Sequence, residues 1–249
     1  MIQSLDRGIQ ILLILAQKNS MGITELAEEL GVDKSTVSRL IETLRNRDMV
    51  RIDPDTKKYR LGFRILHLGE ALKDNLNVIA IARPMLLSLS AQINESVHFC
   101  AYNNNCVYVM DQVRSSKNYA LSATVGMIEP LHCSSVGKCI LAFRRPETVR
   151  ALLDDYTFTA YTEHTITNKE ELLKNLEQIR TLGYALDDEE IALGVRCIAV
   201  PVYDYRNSVR YSIGVSGPKT NLNSATIESY VKRMTETTKR LSAAIGSTR

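Results

Sequence analysis

The residues with the clearest chemical potential lie in segment 34–47, where short hydroxyl side chains and long cations share one side of a predicted helix. Hydroxyls can hydrogen-bond to base edges and cations can bind phosphate oxygens, so this pattern is typical of a helix in the major groove of DNA. We expect the first two turns to reach the bases. The candidate DNA-contacting residues of this helix are Lys34, Ser35, Thr36, Ser38, Arg39 and Thr43.

Two predicted helices must hold these side chains in place. Segment 23–30 carries apolar residues at helical spacing, and Gly31 can end this helix in the left-handed conformation. Thr24 is the expected N-cap of the first helix, and Asp33 is the expected N-cap of the second. A helical hairpin that contacts only protein would show the same pattern, so the choice depends on the residues that follow.

A short basic hairpin is predicted directly after the helix pair. Residues 49–52 and 57–61 alternate like strands, and residues 53–56 between them have turn chemistry. Residues 33–64 contain nine Lys or Arg and five Asp or Glu, an excess that suits phosphate contacts. A solvated charged face is the alternative, but the preceding helix pair favours DNA. We expect these further cations on phosphates or in the minor groove: Arg7, Lys57, Lys58 and Arg60.

Another group of residue types could support hydrolysis. His132, Ser134, Ser135, Lys138 and Asp187 include a nucleophile, a base and an acid. However, the chain has no GxSxG elbow, and its HCSSVGK segment lacks the first glycine and the final hydroxyl residue of a phosphate-binding loop. We therefore expect no enzymatic activity and no cofactor.

Composition predicts a globular protein of the cytoplasm. The chain has 249 residues, 45% hydrophobic and 24% charged, with a net charge of +3, which allows two domains and argues against a nonspecific polycation. Five cysteines without a CxxC pair indicate reduced thiols. A zinc site from His132, Cys133 and Cys197 would lack the usual ligand spacing, so we expect no metal. We expect no signal peptide, and the apolar run 9–16 is too short to span a membrane.

The remaining residues predict an α+β fold with an antiparallel sheet and helices on its faces. Segment 63–72 is a helical pattern with apolar residues on more than one side, as expected of a connector that packs against a second copy. Strands and helices then follow without regular alternation. The helices are predicted at 79–93, 134–141, 146–153, 170–182 and 226–244, and the strands at 96–102, 106–113, 184–187, 197–203 and 209–215.

Over nearly its full length the chain resembles the IclR family of bacterial transcription regulators. The segments that carry the resemblance are 5–8 (LDRG), 23–61, 131–138 (LHCSSVGK), 183–189 (GYALDDE) with 194–202 (GVRCIAVPV), and 213–218 (IGVSGP). The resemblance implies an N-terminal winged helix-turn-helix domain (1–62), a linker helix (63–77) and a C-terminal GAF-like domain (78–249) that binds a small metabolite. It also implies homodimers, often paired into homotetramers, on palindromic operators.

Similarity to liganded family members implies seven effector-contacting positions. Gly214 departs from the serine often found at its position, and Ser135 and Val136 replace smaller residues of some relatives, so the preferred ligand can differ. From the residues themselves, the turn at 134–137 should open a helix whose free amides suit an anion. The seven positions are Leu121, Ser135, Val136, Asp187, Cys197, Gly214 and Ser216.

Two neighbouring side chains have less certain roles. Lys138 would either add charge to this anion site or point to solvent, and His132 would pin the turn before the helix.

These observations predict a sequence-specific DNA-binding regulator, and we expect a repressor. A small organic or sugar acid bound in the C-terminal domain would change the affinity of the protein for the operator. A structural protein that coats DNA broadly is the alternative, although it would not need a second domain with a pocket. The sequence leaves open the effector, the operator, repression against activation, and dimer against tetramer. No membrane partner is expected.

Overall fold

The computed structural model describes residues 2–74, 77–115 and 123–249 and divides into two compact units, Met1–Asn77 and Val78–Arg249. Each unit has its own hydrophobic core. Among the described helices, none has the length and apolar character needed to cross a membrane.

The N-terminal unit is a winged helix-turn-helix domain, as predicted. Its first three helices bury their apolar sides against one another, with Ile11, Leu26 and Val37 at the centre. Tyr59 of the hairpin joins this core, and its backbone exchanges two hydrogen bonds with Met21. The elements are α1 (Gln3–Lys18), α2 (Ile23–Leu30), α3 (Lys34–Arg45), β1 (Val50–Ile52), β2 (Tyr59–Leu61) and α4 (Phe63–Asp74).

The turn between α2 and α3 follows the predicted chemistry. Gly31 ends α2 at φ 63°, and Asp33 caps α3 by accepting a hydrogen bond from the Thr36 amide. The prediction of Thr24 as an N-cap is wrong, because α2 already begins at Ile23. The carboxylate of Glu25 instead accepts the N–H of the N-cap residue, Gly22, at 2.6 Å. A carboxylate three residues after the N-cap residue forms a strong, charge-assisted hydrogen bond with the N-cap amide.

The C-terminal unit is built on one six-stranded antiparallel sheet in the order β5-β4-β3-β8-β7-β6. The predicted sheet with helices on its faces is therefore confirmed. Its strands are β3 (Ser96–Asn103), β4 (Cys106–Val113), β5 (Ile128–Glu129), β6 (Ala185–Asp188), β7 (Val195–Tyr203) and β8 (Val209–Pro218). Its helices are α5 (Asn77–Ile93), α6 (Ser135–Ala142), α7 (Pro146–Asp154), α8 (Lys169–Leu182) and α9 (Ser224–Ala244).

Side-chain alternation along the strands divides the sheet into two buried faces. On β3, Val97 and Phe99 pack in a cluster with α5 and α9. Cys100 and Tyr102 point the other way and pack in a cluster with α6, α7 and α8. By the same alternation His98 lies on the α6 side of the sheet, which is the side that holds the candidate ligand cavity.

Two details of this unit differ from the sequence prediction. Strand β5 was not predicted, because two residues are too few to show alternation. The predicted helix 79–93 would hold Pro84 near its start, but α5 begins at Asn77 and carries this proline in its interior. Proline has no N–H to donate within the helix, so one backbone hydrogen bond of α5 is missing there.

Candidate DNA-binding and effector sites

The predicted base-contacting side chains lie on the solvent side of α3. Val37 and Ile41 face the core of the N-terminal unit and are fully buried. Thr36 is half-buried, and the other predicted contacts of this helix are exposed: Lys34, Ser35, Ser38, Arg39 and Thr43. The helix therefore offers hydroxyls and cations to a partner outside the protein.

Asp33 fixes the hydroxyls at the start of α3. The Ser35 hydroxyl donates to Asp33 Oδ1 at 2.5 Å, and the Thr36 hydroxyl donates to Asp33 Oδ2 at 2.8 Å. These hydrogen bonds, Ser35 first, hold the pKa of the Asp33 carboxyl well below its ordinary value. With both protons directed to Asp33, the two hydroxyls present their lone pairs outward. They are therefore oriented as acceptors, which suits an amino group on a base edge.

The wing cations are partly engaged within the protein. Lys58 Nζ lies 2.9 Å from Glu25 Oε1, and an Arg60 guanidinium nitrogen lies 3.2 Å from Asp53 Oδ2. Both pairs are at least partly exposed, with Asp53 the less accessible at 19%, and such surface pairs contribute only about 0–1 kcal/mol, so a phosphate can replace the carboxylate. Lys57 is exposed and has no ion pair among the described residues. Arg7 is half-buried on α1.

A cavity of about 250 Å³ lies beside the N-terminus of α6, on the α6 side of the sheet. Leu121 lies outside the described residues. Gly214 is not part of the cavity wall, although it neighbours it in the sheet. The other five predicted effector-contacting residues line this one cavity: Ser135, Val136, Asp187, Cys197 and Ser216.

His98 takes the place that a side chain at position 214 would occupy. The two residues are partners across β3 and β8, and a Cβ on Gly214 would lie 2.1 Å from His98 Nε2. His98 is only 4% exposed and lines the cavity, and its imidazole has no hydrogen bond to another described residue. Burial lowers its pKa to about 4, so the imidazole is neutral at physiological pH and offers one donor and one acceptor.

The N-terminus of α6 presents free backbone amides. Ser134 is the N-cap, and its hydroxyl accepts from the Gly137 amide at 3.0 Å while donating to the Pro130 carbonyl at 2.6 Å. The Ser135 and Val136 amides have no acceptor among the described residues. Because unpaired N–H groups and the helix dipole favour negative charge, this end of the cavity suits a carboxylate or another anion.

Lys138 has neither of the two roles considered from the sequence. It is fully buried and forms an ion pair with Glu190. The Glu190 amide donates to Asp187 Oδ1 at 2.8 Å, so Lys138, Glu190 and Asp187 form one connected group. Residue Glu190 lies far from Lys138 in sequence, which is why segment 131–138 alone gave no sign of the pair.

Two carboxyl groups face the cavity, and burial makes both weaker acids than usual. Burial raises the pKa of Glu129 to about 7, and the neighbouring Asp187 adds to this effect. Burial raises the pKa of Asp187 to about 6. Its hydrogen bonds and the charge of Lys138 favour the ionised form and so limit this rise. Burial also keeps the Cys197 thiol protonated by raising its pKa, while Cys197 hydrogen-bonds to Asp187 and Ser216.

His132 has the structural role predicted for it. Its Nδ1 lies 3.0 Å from the Tyr156 hydroxyl oxygen, and its Nε2 lies 2.9 Å from the Thr159 carbonyl oxygen. Both ring nitrogens are therefore used within the protein. Among the described residues, no group of three or more His, Cys, Asp or Glu side chains is arranged to hold a metal ion.

Three further side chains with polar groups line the cavity and were missed at the sequence level. His98, Glu129 and Tyr161 all line the cavity. Glu129 directly precedes the Pro130-Leu131-His132 segment, but a glutamate beside a turn is normally exposed, so nothing in the sequence marked it. His98 was placed on a strand, and only the pairing of that strand with β8 brings it to the cavity.

Family models match both units. The model of the "IclR helix-turn-helix domain" matches residues 4–54, and that of the "Bacterial transcriptional regulator IclR C-terminal" matches residues 70–243. The chain is similar to HTH-type transcriptional regulator KdgR of Escherichia coli, 30% identical over 245 residues that cover 98% of this chain and 93% of that protein. It is also similar to transcriptional repressor IclR of Escherichia coli, 31% identical over 251 residues that cover 100% and 92%.

A solved structure agrees with these matches. The IclR transcriptional regulator from Alicyclobacillus acidocaldarius superposes with a TM-score of 0.86 at 27% identity, covering 99% of this chain and all of that one. These relatives regulate transcription and are not enzymes. The chain therefore belongs to the IclR family of DNA-binding bacterial transcription regulators.

Proposed function

We propose that this chain is a repressor whose operator affinity is set by a small hydroxylated organic acid, such as a sugar acid, bound in the cavity beside α6. The observation that carries the proposal is the pairing of two free amides, those of Ser135 and Val136, with the buried carboxyl groups of Glu129 and Asp187 in the same cavity. The amides suit the carboxylate of the ligand, and the carboxyls suit its hydroxyl groups.

The chemistry of the wall supports this ligand class. A carboxylate at the α6 N-terminus gains backbone hydrogen bonds and a favourable dipole. Hydroxyl groups on the rest of the ligand can donate to Glu129 or Asp187 and exchange hydrogen bonds with His98 and Ser216. Apolar residues such as Val136 complete the wall and exclude water from these contacts. Of the seven effector-contacting positions predicted from the resemblance, all but Gly214, which does not line the cavity, remain part of the proposal.

The DNA-binding half of the proposal uses two copies of the chain. Leu5, Ile9 and Leu13 recur every four residues on α1 and are 61%, 50% and 60% exposed. Phe63 and Leu66 on α4 are likewise exposed. Such apolar surface supports association into homodimers, or dimers paired into tetramers. In a dimer, two α3 helices enter successive major grooves of a palindromic operator.

Regulation requires that the two activities be linked. We assign residues 1–62 to operator binding, 63–77 to the connection and 78–249 to effector binding and assembly. A ligand can alter operator affinity only if it binds unequally to two arrangements of the dimer. Repression rather than activation is supported by relatives such as the transcriptional repressor IclR, and a role on the operator implies the cytoplasm.

Two measurements test the proposal. Footprinting across the chromosome should reveal one or a few palindromic sites, and uniform protection of DNA would contradict the regulator. A thermal-shift screen of hydroxylated carboxylates, simple carboxylates, and neutral and cationic compounds should yield a carboxylate that raises Tm and changes the mobility of the operator complex. If only neutral or cationic compounds raise Tm, the proposed ligand class is wrong, although the operator result still stands.

A further inference from the structure

A second cavity, of about 530 Å³, lies at the opposite end of the sheet from the proposed effector cavity. It is bounded by the β3–β4 turn, the β7–β8 turn and the start of α7. Four of its lining residues are arginines: Arg144, Arg145, Arg206 and Arg210. The net charge of the whole chain is only +3, so these four guanidinium groups concentrate positive charge at one concavity.

The positive charge of this cavity exceeds the negative charge on its wall, since four arginines face one carboxylate. None of the four arginines has a carboxylate partner within the described ranges, where the arginine ion pairs involve other residues. Asp204 is the one carboxylate on the described wall. Its Oδ1 already accepts from the Arg206 and Ser208 amides, at 2.9 Å and 3.0 Å, and so serves the turn.

Other contacts fix the geometry of the wall. The Arg144 guanidinium lies 3.9 Å from the centre of the Tyr102 ring, and Arg206 Nε donates to the Tyr205 hydroxyl at 2.8 Å. Stacking on an aromatic ring holds a guanidinium in place without neutralising it. Arg145 is the N-cap of α7 but supplies no side-chain cap, and the Thr148 amide on the cavity wall has no acceptor among the described residues. This free amide adds to the preference for negative charge.

We propose that this cavity binds a small anion with two or more negative charges, either a phosphate ester or a polycarboxylate, at a site distinct from the effector cavity. Guanidinium forks bind both phosphate and carboxylate oxygens in pairs. A small molecule fits better than an extended polyanion because the four arginines surround one concavity between two turns and the start of α7.

The two sites are connected through shared strands. His98 of β3, Cys197 of β7 and Ser216 of β8 line the effector cavity. Tyr102 of β3 and Val209 of β8 line the arginine-rich cavity, and Asp204 on its wall directly follows β7. The lining residues of the two sites lie four to seven positions apart along each strand, which at about 3.3 Å per residue separates the sites by about 13–23 Å. The second anion thus binds where β3 and β7 end and β8 begins, on the same three strands that line the first site.

The test measures anion binding to the full chain by calorimetry at physiological ionic strength, with inorganic pyrophosphate and citrate as probes. The informative variant is Arg145→Gln with Arg210→Gln, because both side chains are exposed and donate no hydrogen bond within the described chain. Arg240→Gln is the matched control, since Arg240 is exposed on α9 away from the cavity. If the double variant does not fold, each single variant serves instead.

We expect saturable binding of at least one probe, a Kd raised about tenfold or more in the double variant, and a Kd within about twofold of wild type for Arg240→Gln. Pyrophosphate binding alone identifies the phosphate class, and citrate binding alone identifies the polycarboxylate class. Saturable binding of neither probe overturns the proposal. So does binding that is equal in wild type and double variant, because the anion then lies elsewhere, for instance on the DNA-binding surface.

Discussion

The imidazole of His98 lies over Gly214 of the neighbouring strand, in the space that any side chain at position 214 would need. The Cβ of a larger residue at this position would lie 2.1 Å from Nε2, closer than any real contact. The resemblance to the family pointed to a serine at this position, and its absence suggested a missing hydroxyl. The structure accounts for the glycine: the polar group on this part of the wall comes from β3 instead.

Replacing Gly214 with serine should therefore disturb both packing and ligand preference. We expect Gly214→Ser to lower the free energy of unfolding by about 1–3 kcal/mol, the usual range for overpacking, as measured by urea denaturation. The control is Gly214→Ser with His98→Ala, which should recover most of the loss. If Gly214→Ser is as stable as wild type, His98 is not confined as described.

Removing one partner of the buried Lys138–Glu190 ion pair should cost more unfolding free energy than replacing both partners with apolar residues. Lys138→Met leaves the Glu190 carboxylate buried without its partner and should cost about 3–5 kcal/mol of unfolding free energy. Lys138→Met with Glu190→Leu should recover much of that loss. Lys169→Met removes a more exposed pair, with Asp154, and should cost less than about 1 kcal/mol. Equal losses at the two lysines would contradict the importance of burial.

The contribution of the cavity carboxyl groups to stability should fall as pH rises from about 4 to about 7, whereas the lowered pKa of His98, about 4, acts in the opposite sense. The pKa values of Glu129 and Asp187 are raised in the folded state, to about 7 and about 6, above ordinary values of 4.5 and 3.8. The folded protein thus holds these protons more tightly than the unfolded chain. Their contribution is fully present below about pH 4 and is lost by about pH 7.

Glu129→Gln removes one of the titrations that cause this loss, while Asp187 and Glu190, whose pKa burial also raises to about 7, still titrate in the variant. Compared with wild type, it should flatten the fall in unfolding free energy between pH 5 and pH 8 by about 1–3 kcal/mol. Denaturation curves at several pH values provide the measurement. Parallel pH profiles for the variant and wild type would mean that Glu129 titrates normally.

Replacing Arg39 with alanine and replacing Lys57 with alanine should weaken operator binding in different ways. Arg39→Ala should weaken operator binding by about 1–3 kcal/mol and relax the preference at one or two base pairs. Lys57→Ala should weaken binding evenly across sequences and lower the salt dependence by about one counterion. Mobility-shift titrations on operator variants at several salt concentrations separate the two. If both variants behave alike, Arg39 is a phosphate ligand rather than a base reader.

Whether a structural feature could be predicted from the sequence depends on how far apart along the chain its contacting residues lie. The cap of α3 by Asp33 and the left-handed turn at Gly31 act over three or four residues, and both were predicted. The Lys138–Glu190 pair and the meeting of His98 with Gly214 join distant segments through strand pairing. Such contacts leave no periodic signal in one sequence. The resemblance supplied five residues of the cavity wall because it carries three-dimensional information that periodicity lacks.

The central claim is that operator binding and ligand sensing belong to different residues and are coupled. Asp187→Asn tests it most directly, because asparagine can still accept the Glu190 amide that Asp187 accepts at 2.8 Å. Operator affinity is measured by mobility shift with and without the carboxylate ligand found by thermal shift. We predict that Asp187→Asn binds the operator as wild type does but no longer responds to the ligand. An unchanged ligand response in Asp187→Asn, with the operator bound equally well, would contradict the account.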